Sequence, residues 1–245
     1  TPKPLINEKY YHLYNPYAFL NDRIATDLGP AGVQSWYSPM LDLIYFSAVS
    51  NLPPKLIGFL IGFIQGLNFY LIYRIAETVL AKLTNKRLYA LLLALAGVLT
   101  VGFQAEIGTA MHDSLVALLP MTSLLLILTT IGRLDEADQG PVYRLILIAG
   151  LISGIGIGFK LVTAISALPL CLSMLILPIH WLRRFTLALL FGIATLVGMF
   201  AIGGYWMSEL WALMGNPLFP QFNNLFHGEL AAFEHVRDIR FLPET

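Results

Sequence analysis

"FTLALLFGIATLVGMFAIGGYWM", residues 185–207, carries no charged side chain from one end to the other. A helix rises about 1.5 Å per residue, so a stretch this long outlasts the roughly 30 Å hydrocarbon core of a bilayer. Working outward, five more apolar stretches are bracketed by charges or polar loops, at residues 56–73, 88–103, 114–132, 145–159 and 161–179. The expected fold is all-α, a polytopic transmembrane bundle of about six helices with long non-cytoplasmic loops carrying short interfacial helices. Residues 88–103 are a little short for a span. Residues 145–159 would reach only about 22 Å, which implies polar groups at membrane depth under the cover of protein or of a wet cavity.

Composition agrees with a membrane setting. The 245-residue chain is 57% hydrophobic and only 12% charged, where an ordinary soluble domain has about a quarter charged. Fifteen basic and fifteen acidic residues cancel, which argues against a nucleic-acid partner and makes any electrostatic function local. The single cysteine, Cys171, excludes an internal disulfide and a thiolate metal cluster.

Short loops rich in Lys and Arg are held on the cytoplasmic side. Lys82, Lys86 and Arg87, then Arg133 and Arg144, then Arg183 and Arg184 all fall on one side if six spans alternate. The opposite face then receives residues 1–54, the loop at 104–113, the turn at Lys160 and the tail from 208. The expected organisation is a non-cytoplasmic loop at 1–54, a helix bundle at 55–207 and a second non-cytoplasmic loop at 208–245. A chain opening at Thr1 without a signal-like core and closing on "RFLPET" reads as a fragment, with further membrane helices beyond it.

The polar groups collect on that outer face. "EKYYHLYNPY", residues 8–17, mixes Glu8, His12 and Asn15 with tyrosines, as a catalytic carboxylate with sugar-stacking rings requires. Tyrosines also gather at membrane interfaces for no catalytic reason. "NPYAFLNDR", residues 15–23, predicts a short helix capped by Asn15 and begun by Pro16. "SPMLDLIYFSAVSNLPP", residues 38–54, predicts an interfacial helix ending at Pro53 and Pro54.

In "QAEIGTAMHD", residues 104–113, Glu106, His112 and Asp113 precede a span. Asp113 there reads as a helix cap, as a base, or as a ligand to a divalent cation such as Mg or Mn shared with a second carboxylate. Lys160 interrupts "GLISGIGIGFKLVTAISALPL", residues 150–170, where a charge at membrane depth is costly unless paired or hydrated. It marks either a functional site or a tight hairpin whose lysine snorkels. "GNPLFPQFNNLF", residues 215–226, offers Asn216, Asn223 and Asn224 on a proline-stiffened loop, either a substrate lid or a rigid loop entry.

Taken in order, "YYHLYNPYAFLNDR", "DLGPAGVQSWYSP", "HD" opening a later span, "GIGFKL" in a glycine-rich hairpin and "GNPLFPQFN" followed by "FLP" resemble bacterial membrane glycosyltransferases of the GT-C superfamily. The closest likeness is to members related to the dolichyl-phosphate-mannose-type and lipid A sugar transferases. The resemblance implies an integral enzyme of the bacterial inner membrane. It would take a sugar from a polyprenyl-phosphate donor to a glycan or lipid acceptor on the non-cytoplasmic face, with inversion. It further implies a catalytic carboxylate in the first outer loop, where Asn7 and Glu8 stand in place of the usual Asp. Glu8 and Asp113 are the expected catalytic residues and the expected ligands of any metal. Lys160 and His112 are expected at the donor phosphate, and Tyr11, His12, Tyr14, Asn15, Glu106, Asn216 and Asn223 against substrate. The alternatives are a transporter or lipid-flipping protein and a noncatalytic membrane subunit.

Overall fold

A computed structural model describes residues 11–27, 29, 31–136 and 138–227. The described residues are mainly helical and contain no strand. In chain order the α-helices are α1 (Tyr14–Leu20), α2 (Met40–Asn51), α3 (Pro54–Val79), α4 (Lys86–Val98), α5 (Val101–Glu106), α6 (Asp113–Val116), α7 (Leu118–Ile131), α8 (Gly140–Phe159), α9 (Ala164–Ser173), α10 (Trp181–Met214) and α11 (Asn223–Phe226). Among the described residues four helices are long and apolar enough to cross a membrane: Pro54–Val79, Asp113–Ile131, Gly140–Phe159 and Trp181–Met214. The chain is an integral membrane protein on that ground.

Two of the six expected spans are shorter elements. α4 stops at Val98, and the Thr100 hydroxyl bonds back to the Gly97 carbonyl before α5 begins. The apolar segment Leu161–Ile176 holds α9 between two 3-10 turns. Pro169 lies within it, removing one backbone donor and crowding the preceding turn. Conversely, α8 is longer than expected. It starts at Gly140 with Pro141 in its first turn, so Tyr143 and Arg144 are helical and the element reaches about 30 Å. Lys160 therefore follows a helix of 20 residues, and the short span expected over 145–159 is not what forms. α1 also departs from expectation. It begins at Tyr14 behind Leu13, and Asn15 lies inside it without capping, because the Asn15 amide donates instead to the Gln34 carbonyl at 3.0 Å.

Packing divides the chain into two compact units, residues 47–202 and residues 1–46 with 203–245. In the larger unit α3 lies along α4 and α7, and α7 along α8. Its core joins Ile127, Val142, Ile146, Ala149, Leu187 and Phe191. α8 and α10 approach at backbone distance. A Cβ added at Gly154 would fall 2.0 Å from the Thr195 carbonyl oxygen, and one at Gly198 would fall 2.3 Å from that of Leu151. Small residues that let backbones touch are the usual cement of membrane helices. The Ser123 hydroxyl adds a buried bond to the Ala149 carbonyl at 2.8 Å, with Ser153 donating to Ser123 at 3.0 Å.

In the smaller unit Trp206, Leu210 and Phe219 form the buried centre, with Phe19, Ile24, Trp36 and Met40 packed against it. The Trp206 indole donates to the Trp36 carbonyl at 3.3 Å, and the Trp36 ring meets Phe219 edge-on at 5.8 Å. Much of the aromatic character of the opening segment is thus core, holding a loop region together around the end of a long helix.

Candidate functional site

In the larger unit the expected residues Asp113 and Lys160 come together as an ion pair between Nζ and Oδ1. Asp113 opens α6 and Lys160 follows the last turn of α8. The pair is reachable, with the Asp113 side chain 58% and the Lys160 side chain 28% exposed.

Both ends are fixed by their neighbours. The Lys160 carbonyl accepts from the Thr163 amide and hydroxyl, each at 3.0 Å, and the Lys160 amide donates to Gly156 at 2.8 Å. The first turn of α6 hangs from α3. Asn68, buried in that span, donates to the Ser114 carbonyl at 2.7 Å and to the Gln65 carbonyl at 2.8 Å. Gln65, fully buried, donates to the Glu106 carbonyl at 3.1 Å and accepts the Gly108 amide at 2.8 Å. The Gly108 turn needs glycine. Its φ is +73°, and a Cβ would stand 3.3 Å from the Gly58 carbonyl oxygen.

Glu106, expected against substrate, caps the helix. Its carboxylate accepts the Ser114 amide at 2.8 Å, where an acidic group also suits the positive end of the helix. That frees Asp113 from the capping role which its position suggested. α6 breaks from α7 at Ala117 because Pro120 cannot donate to Val116 and its ring crowds that carbonyl. The Ser114 hydroxyl is buried without a hydrogen-bond partner in the structure, a polar cost of about 1–3 kcal/mol immediately beside Asp113. His112 is buried at the position preceding α6.

In the smaller unit His12 Nδ1 meets Asp42 Oδ1 at 2.7 Å, both residues buried. Asp42 was not among the expected site residues, since it reads as one polar interruption of an interfacial helix. Only the fold reveals its partner. Tyr11 rests against His12 at 4.2 Å and edge-on to Tyr37 at 5.8 Å.

The Tyr14 hydroxyl donates to Asp27, which also receives a two-pronged bond from Arg23 at 2.8 and 2.9 Å. The Arg23 and Tyr14 bonds hold the Asp27 carboxyl below its ordinary value. Burial first, and then the Asp27 contact, push the Tyr14 hydroxyl up. Asn216, fully buried, donates to the Gln221 carbonyl at 2.8 Å and accepts the Leu218 amide at 2.9 Å, so it braces its own loop. Asn223 is buried at the start of α11. Glu8, the other expected catalytic carboxylate, lies outside the described residues.

Asp113, one of the two residues expected at a metal, has its Oδ1 in the ion pair with Lys160. No protein family, curated protein or solved structure matches this chain.

Proposed function

We propose that this chain is the membrane-embedded part of a glycosyltransferase that takes a sugar from a polyprenyl-phosphate donor to an acceptor at the non-cytoplasmic face. The single observation that carries this reading is the exposed Lys160–Asp113 pair at the common end of two helices. Residues 47 positions apart place a phosphate-binding cation beside a carboxylate base. Alone, each charge satisfies the other. When a donor phosphate arrives, its oxygens take the Lys160 ammonium and free the Asp113 carboxylate next to the reacting centre. The acceptor hydroxyl then attacks the anomeric carbon as its proton passes to Asp113. The bond from the anomeric carbon to the phosphate oxygen breaks with its electron pair on that oxygen, where Lys160 stabilises the charge. One displacement inverts the anomeric centre.

Labelled sugar on a polyprenyl phosphate, supplied with detergent-solubilised full chain, tests the reading. Transfer that yields sugar-free polyprenyl phosphate and falls by about a hundredfold or more in Asp113→Asn supports it. A chain that moves the intact lipid-linked sugar across a reconstituted bilayer, without breaking the glycosidic bond, is a transporter.

A further inference from the structure

Among the cavities bordered by described residues, two lie in the smaller unit and differ in size. One, bordered by Tyr14, Asn15, Asp27 and Trp36, holds about 10 Å³, the bare minimum of roughly 10–15 Å³ for a single water. The other holds about 160 Å³ and is bordered by Phe19, Asp22, Tyr205, Trp206, Glu209 and Leu213, with Ile24 and Ala25 completing the wall. We propose that this second cavity binds an organic ammonium group.

The chemistry of the lining selects that ligand. Three aromatic residues and two carboxylates face one space, and no Lys, Arg, His, Asn or Gln is among the described residues that line it. An anion would meet two like charges with nothing to offset them. A sugar could stack on the rings and donate to the carboxylates, but it would leave both negative charges without a counter-charge. A hard dication takes six or more oxygen ligands, and the lining offers it two carboxylates and one phenol. An alkylammonium gains from both halves of the lining, since its charge is attracted to ring faces within about 6 Å and its N–H groups to carboxylates.

The walls are held in place before any ligand arrives. Phe19 lies edge-on to Tyr205 at 5.7 Å, interplanar 89°, and against Trp206 at 6.2 Å. The indole of Trp206 is tied to the Trp36 carbonyl. Glu209 follows Tyr205 by one helical turn of α10. The same ammonium chemistry is offered by a free amine and by the head group of phosphatidylethanolamine. Neither source depends on the transferase reading.

The test uses the full chain in dodecyl maltoside, which carries no ammonium, with methylammonium as the probe and saturation-transfer NMR as the readout. Saturable binding is expected, weakened about tenfold in Asp22→Asn and in Glu209→Gln, a loss typical of one charge-assisted contact. Leu213→Phe, which narrows the cavity and leaves every charge in place, is expected to weaken binding as well. Displacement of the probe by added phosphatidylethanolamine identifies the lipid head group as the source. Displacement by ethanolamine alone identifies a free amine. The proposal is overturned if the wild-type chain shows no saturable binding, if both charge variants and the narrowed variant bind as wild type does, or if acetate competes as well as ethanolamine.

Discussion

Asp113 and Lys160 both stood out in the sequence as charges at the edges of apolar runs, and the structure joins them. In a transferase that uses them as one unit, Lys160→Ala and Asp113→Asn should each lower the transfer rate by about 10²- to 10³-fold. Because the two act together, the double variant should lose little more than either single one. Losses that multiply, measured in the same transfer assay, would show that the two residues act separately. What the sequence hid is the support behind them. Gln65 and Asn68 look like minor polar breaks in a span, and their bonds to the 106–114 loop exist only once α3 is placed beside it. Gln65→Leu orphans the Gly108 amide, at about 1–3 kcal/mol, while the Glu106 carbonyl keeps its bonds from the Thr109 amide and hydroxyl. Unfolding in mixed micelles should register that loss, and an unchanged midpoint would mean that water replaces the glutamine.

Tyr14 and Asp27 make a pH-dependent contribution whose sign follows from their shifts. The Asp27 carboxyl is lowered in the folded state, so its contribution is present above its ordinary value of 3.8 and disappears as the pH falls through the lower folded value. The Tyr14 hydroxyl is raised, so its contribution is present below its ordinary value of 10.0 and is lost as the pH rises through the higher folded value. Tyr14→Phe should remove the Tyr14 share of the alkaline limb of the stability profile and leave the neutral plateau lower. An alkaline limb unchanged in that variant assigns it to another group.

At the scale of elements, apolar runs located the long helices well and their ends poorly. Charges inside a helix's first turns were the reason. Arg144 in α8 and Arg183 and Arg184 in α10 read as loop, yet they extend helices whose apolar middles alone were visible. Arg184 is held by the Ile179 carbonyl at 2.7 Å and Arg183 by that of Leu134 at 2.9 Å. Such local bonds leave no trace in hydropathy. The α8 glycines were legible as packing positions, and the structure shows which partner they meet. Gly154→Ala must push α8 from α10 by more than an ångström, whereas Gly66, with open space around its Cβ position, accepts alanine. Gly154→Ala should lower the thermal midpoint in detergent by several degrees, a cost of about 1–3 kcal/mol for overpacking. Gly66→Ala should leave it level or slightly higher. Equal behaviour of the two would remove close helix contact as the basis of the α8–α10 packing.

At the scale of the molecule, an all-helical membrane chain was legible from composition and run length. The expected sidedness rests on the basic loops and on six alternating spans, and the number of spans decides whether Lys160 and the asparagine loop at 215–226 share a compartment. In a Cys171→Ala background, single cysteines at Asn85 and at Gln221 should react with a membrane-impermeant thiol reagent from opposite sides. Reaction of both from outside would invert that assignment. The measurement that bears most directly on the central claim is native mass spectrometry of the full-length protein in mild detergent, wild type beside Lys160→Ala. A co-purified or added polyprenyl phosphate, retained by the wild type and lost in the variant, would place the lipid phosphate at Lys160. No such lipid on the wild type even after donor is added, or equal retention by both proteins, would contradict it.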